Sequence, residues 1–159
     1  MTASIERVNE IASELVALVD ESVKQLSELS DQEASLEPAP GKWSYKELIG
    51  HLIDSATNNH QRFVRAPNES VFVFPGYAQD DWVRQQQYNH WEWKRLLTFW
   101  QLYNHHIAHI ISRIPEEKLK TECRIGTYEP ATLGFVVEDY LAHMKHHLGK
   151  MPIRVHSSI

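Results

Sequence analysis

The stretch Thr132-Leu-Gly-Phe-Val-Val-Glu-Asp-Tyr-Leu-Ala-His-Met-Lys-His-His-Leu-Gly149 reads as one complete helix. Thr132 is a capping residue, Leu133, Val137, Tyr140, Leu141 and Met144 recur at three- and four-residue spacings, and Gly149 and Pro152 close the element. Three further stretches carry the same periodicity. One runs from about Ser4 to Leu29, with Val8, Ile11, Ala12, Leu15, Val19, Val23 and Leu26 on one face. A second begins at Ser44, where Glu47 three residues on completes a capping box, and runs to about Arg65. The third, from about Asn89 to Arg113, aligns Trp93, Leu96, Leu97, Trp100, Ile107, Ile110 and Ile111 and is stopped by Pro115. Residues 66–88 contain Pro67, Pro75 and Gly76, and their apolar residues Val71, Phe72, Val73 and Phe74 are consecutive. They read as a long crossing connection, with a short strand as the alternative. The fold class expected is all-α: a four-helix bundle with a long crossing connection between helices 2 and 3.

Composition narrows the function. The chain of 159 residues fits a single domain spanning residues 1–159, and its 42% hydrophobic and 23% charged fractions are those of soluble globular proteins. No apolar run is long enough for a bilayer, and the N-terminus lacks the apolar core of a signal peptide, so the expectation is a cytoplasmic protein without membrane partners. Sixteen basic against twenty-one acidic residues give a formal charge of −5, the wrong sign for gripping nucleic acid. One cysteine, Cys123, excludes a disulfide framework and a thiolate-rich zinc site. Ten histidines beside it mean that any metal here is held by nitrogen, with or without carboxylates.

Two histidines four apart on a helix point the same way and suit one metal ion. The spacing occurs at His105/His109 and at His143/His147, and random placement of ten histidines gives about 0.6 such pairs, so spacing alone decides little. Helix geometry separates them: His105 and His109 project opposite the apolar stripe of their helix, toward solvent, whereas His143 and His147 project at the edge of theirs, in line with Val136 and Tyr140. His146 falls farther round, toward the mouth. A third ligand must come from another helix, and His51, flanked by Leu48 and Ser55, is the best placed. His60, His90 and His156 read as surface residues, and His106 lies between the two faces. No glutamate has a histidine three residues on, which removes the di-iron carboxylate pattern, and H-E-x-x-H is missing as well.

Trp43-Ser-x-x-Glu47, His51-Leu-Ile-Asp-Ser55 leading to Arg62-Phe63, and His143-Met-Lys-His-His-Leu-Gly149 together resemble the DinB/YfiT-like four-helix bundles, whose motifs are H-x-x-D-S and H-x-x-H-H-x-G-x-[ILM]. Gly76-Tyr-Ala-Gln-Asp-Asp-Trp82 is similar to the acidic, Trp-ended segment that YfiT-like members place before their third helix. The resemblance covers about Trp43 to Met151. It implies an up-down-down-up bundle, a homodimer, and a metal triad at His51, His143 and His147 holding one divalent ion, zinc or nickel. It also implies a small-molecule substrate and an activity of the metal-dependent hydrolase or low-molecular-weight-thiol (bacillithiol-type) S-transferase kind.

Three neutral imidazoles leave a divalent ion with its charge undiminished and a coordination position open, as in catalytic sites. Asp54 and Asp139 are near enough in sequence to receive the second ring N–H of His51 and His143. Asp139 reads equally as an exposed helix acid, and Asp54 as a tether for a neighbouring segment. Phe74, Tyr77, Trp82 and Trp91 are candidates to wall the pocket, whereas Trp93 and Trp100 belong to the core. Arg62, Arg65 and Lys145 are basic residues that could receive an acidic thiol cofactor but read equally as parts of solvated helix faces, so they are assigned no role, and no residue stands out as a general acid or base. The competing expectation is a non-catalytic, dimeric helical module with a structural metal or none.

Overall fold

The structure, a computed structural model, describes residues 3–154; His156 lies outside them. Four long helices form the bundle: α1 (Ile5–Leu26), α3 (Tyr45–Arg65), α5 (Trp93–Ile111) and α6 (Leu133–Leu148). Two short helices, α2 (Asp31–Ser35) and α4 (Gln79–Gln86), sit in the connections. Three of the four long helices begin where a capping side chain satisfies free backbone N–H groups, and α5 instead gives its Trp93 N–H to Asp31 of α2. Ser4 accepts from the Arg7 N–H, Thr132 from that of Phe135, and Ser44 and Glu47 exchange bonds at 2.8 and 3.2 Å. The apolar stripes then meet in one core: Val8, Ile11, Leu15, Val19, Ile49, Leu96, Trp100, Ile107, Val137 and Leu148 are fully buried. α1 and α3 each pack against both α5 and α6, so α3 and α6 share an interface.

The periodic segments stand close to their expected bounds. The first ends at Leu26 rather than Leu29, because Ser30 and Glu33 form a second capping box that starts α2. The third starts at Trp93, four residues later than periodicity suggests, because Tyr88–His90 form a 3-10 turn. The connections hold more regular structure than an irregular crossing segment. Strand β1 (Val71–Phe74) pairs parallel with β2 (Glu122–Ile125), which pairs antiparallel with β3 (Ala131–Thr132). Phe72 and Cys123, opposite each other in this small sheet, are both buried. The sheet matters for the site because Thr132 both ends β3 and caps α6, so the register of α6 is tied to the connection that leaves α3. Gly126, at φ +55°, makes the turn after β2, and a side chain there would press on the Gly76 backbone at 3.1 Å.

One glycine inside a bundle helix is equally constrained. A Cβ at Gly50 would lie 2.0 Å from the Tyr88 ring. Tyr88 therefore packs directly on the α3 backbone and donates its hydroxyl to Asp54, one turn farther along. No helix among the described residues is long and apolar enough to cross a membrane.

Candidate metal centre

The α3/α6 interface brings His51, His143 and His147 together. The His143 Nε2 lies 3.2 Å from the His51 Nε2 and 3.1 Å from the His147 Nε2. The rings meet steeply, with centroids 5.1 Å apart for His51/His143 and 4.6 Å for the other two pairs. His51 is wholly buried, His147 nearly so and His143 half-buried. Trp43 lies against His51 at 5.0 Å between centroids, and His146, exposed as expected, packs on His147 at 5.2 Å.

This environment keeps the rings uncharged. Burial, then the charges of His143 and Lys150, lower His51 to about 4. Burial, then His143, His51, Lys150 and His146, lower His147 to about 3. His143 is lowered in the same direction, mainly by burial. At neutral pH three nitrogens thus face one another, and protons can link them only in pairs, whereas one cation accepts all three lone pairs at once. The spacing fits such an ion. Metal–nitrogen bonds of about 2.0–2.1 Å put neighbouring nitrogens about 3.0 Å apart in octahedral and about 3.4 Å apart in tetrahedral coordination. The observed 3.1 and 3.2 Å lie between these limits. The Nδ1 atoms of His51 and His147 are buried with no hydrogen-bond partner among the described residues.

Asp54 does not serve His51. Its Oδ1 accepts from the Tyr88 hydroxyl and, at 2.7 Å, from the Gln86 amide, so it tethers the end of α4 to α3. Burial pushes its pKa up while these two bonds pull it down, and its Oδ2 has no partner among the described residues. Asp139 is exposed and lines a cavity with His143.

Two cavities flank the histidines. A groove of about 500 Å³ contains His147, Trp43, Tyr45, Lys42 and Lys150. A smaller cavity of about 180 Å³ contains His143, Ser55, Asn59, Arg62, Tyr77 and Asp139, and Gln79 borders both. A wider depression of about 860 Å³ along the outer face of α5, at Trp91 and Phe99, includes none of the three histidines. Of the aromatics expected to wall the pocket, only Tyr77 does so. Trp82 packs on Tyr77 from outside at 5.1 Å, Trp91 lies on the far face, and Phe74 sits beneath Arg62. Lys145 pairs with Glu14 of α1, and Arg65 lies over Phe72 and Phe74. Cys123 is buried, which raises its thiol to about 11 and makes it unreactive. The neighbours not foreseen, Tyr45, Gln79 and Lys150, come from separate elements and carry no shared local spacing.

A helical bundle with three convergent imidazoles at one interhelical seam defines the class. Residues 14–151 match the DinB superfamily, and the chain belongs to that family. It is 24% identical over 150 residues to an Oceanobacillus iheyensis protein named "Putative metal-dependent hydrolase", with 89% of this chain and 86% of that protein covered. Its fold is that of YfiT from Bacillus subtilis, described as a probable metal-dependent hydrolase with an unusual four-helix bundle topology. The TM-score is 0.79 at 20% identity, covering 92% of this chain and 85% of that one.

Proposed function

We propose that this chain is a metal-dependent enzyme acting on a small molecule, with His51, His143 and His147 holding one divalent ion, zinc or nickel. The observation that carries the reading is the convergence of three uncharged Nε2 atoms at 3.1 and 3.2 Å in a buried seam. All-nitrogen donors suit both metals. Three ligands are one fewer than a closed structural site uses, and the only metal-binding cluster among the described residues contains these three. This supports a catalytic ion over a structural one. Bound there, a divalent ion supplies Lewis acidity and lowers the pKa of a water molecule or a thiol. The chain's own part is to keep the imidazoles neutral, to shield His51 with Trp43, and to present His143 and His147 to two separate cavities.

Hydrolysis is the reaction that the name of the Oceanobacillus relative supports. Transfer of a low-molecular-weight thiol is favoured by a different observation: cavities on both sides of the histidines give room for two reactants. The test strips the purified protein with chelator, reloads it with zinc or nickel, and assays it against p-nitrophenyl esters and against a thiol paired with an aromatic chloride. Turnover above the solution rate, lost on chelation and in His143→Ala, is the expected result. Equal rates for metal-free and loaded protein on both substrate types overturn the proposal.

A further inference from the structure

His51, Ser55, Asn59 and Arg62 follow one another at spacings of four, four and three along α3, so they share one face. Helix side chains lean toward the N-terminus, which carries the Arg62 guanidinium back toward His51. The cavity of about 180 Å³ shows the result, because Arg62 and His143 line the same space. The metal reading gives Arg62 nothing to do.

Its guanidinium is nevertheless held in place and makes no direct ion pair among the described residues. It lies over the Phe74 ring at 5.5 Å, and one terminal nitrogen donates to the Asn59 amide oxygen at 3.3 Å. The Nε is buried and has no partner among the described residues. No carboxylate among them lies within ion-pair distance of it. Asp139, the one carboxylate on the cavity wall, is exposed. Ser55 and Tyr77 add hydroxyl donors to the same cavity. Burial lowers the guanidinium pKa, and the charge of Asp139 on the cavity wall offsets that cost only in part. Arginine offers a planar fork of donors that matches a carboxylate.

We infer that Arg62 is a specificity-determining anion receptor, and that the substrate of the proposed metal centre carries a carboxylate which docks on Arg62 while its reactive end lies at His143. The inference rests on the metal reading for the reactive end, and the carboxylate end is tested without metal. In metal-free protein, propionate is added while the Arg62 Nε–H resonance is followed by NMR. A saturable shift is expected with propionate and none with propionamide. In zinc-loaded protein, succinic acid monohydroxamate is compared with the hydroxamate of succinamic acid, which ends in a neutral amide. Wild type binds the carboxylate form tighter by about tenfold or more, the size of a charge-assisted hydrogen bond. Arg62→Gln brings the two ligands together without changing zinc stoichiometry or the affinity for the neutral hydroxamate, and Arg62→Lys retains part of the preference. No propionate shift, or a preference that survives in Arg62→Gln, overturns the inference. A propionate shift in a protein that takes up no metal supports the anion receptor and removes the metal reading alone.

Discussion

α5 and α6 each carry two histidines four apart, and the two pairs have opposite fates. On α6, His143 and His147 look across the α3/α6 seam at His51, and all three nitrogens converge. On α5, the histidines do not converge. His105 reaches Asp20 of α1 at 2.6 Å, His109 is exposed, and His106 lies edge-on to His60 at 5.3 Å between centroids. His60 in turn is bonded to the Tyr103 hydroxyl at 2.8 Å. Spacing alone does not make a metal site. A third ring on a facing helix and burial of the three rings do, because burial keeps the imidazoles neutral and leaves their lone pairs to each other.

The largest effect that would break this contrast is loss of metal. Changes beside a metal site cost about 10–100-fold in affinity, so removing a ligand costs more. His51→Ala or His147→Ala is expected to lose stoichiometric zinc or nickel in isothermal titration, whereas the double change His105→Ala/His109→Ala retains it. Metal uptake unaffected by His51→Ala contradicts the account.

Stability sharpens the same comparison. Gly50→Ala drives a methyl into the Tyr88 ring and disturbs the tether from α4 to Asp54, so urea denaturation should show a loss of about 1–3 kcal/mol. His105→Ala removes only a half-exposed pair with Asp20 and should cost under about 1 kcal/mol.

The acid response of metal-free protein separates the two regions further. His51 and His147, depressed to about 4 and about 3 when folded, bind protons in the unfolded chain first. Their contribution to stability is complete above the unfolded value near 6.5 and is lost as pH falls from there toward 4. The urea midpoint of chelated protein should fall across that window, less steeply in His51→Gln, and an unchanged slope in that variant argues against a neutral buried ring. Asp54→Asn has the smallest expected effect. Its Oδ1 still accepts from Tyr88, and since it touches none of the three histidines, metal affinity should not change.

The bundle was legible because each long helix repeats its apolar residues at helical spacing and Ser44, Glu47 and Thr132 mark where two of them start. The placement of His51, His143 and His147 was legible for the same reason: a stripe edge says which way a side chain looks. α2 carries its own signal in Ser30 and Glu33, but five residues show no periodicity. α4 has only Trp82 and Val83 as apolar landmarks, too few for a face. The pairing of Val71–Phe74 with Glu122–Ile125 joins segments about fifty residues apart and leaves no local trace. Asp54 shows the limit of proximity in sequence. Three residues from His51, it bonds instead to Tyr88 and Gln86, groups supplied by a connection whose course no spacing reveals.

X-ray absorption at the edge of the bound metal tests the central claim most directly. The account predicts three imidazole nitrogens at about 2.0–2.1 Å with the remaining positions filled by oxygen. It also predicts that one imidazole disappears from the scattering of any metal retained by His51→Ala. A metal bound through two or fewer imidazoles, or with the same histidine count in wild type and His51→Ala, would contradict it.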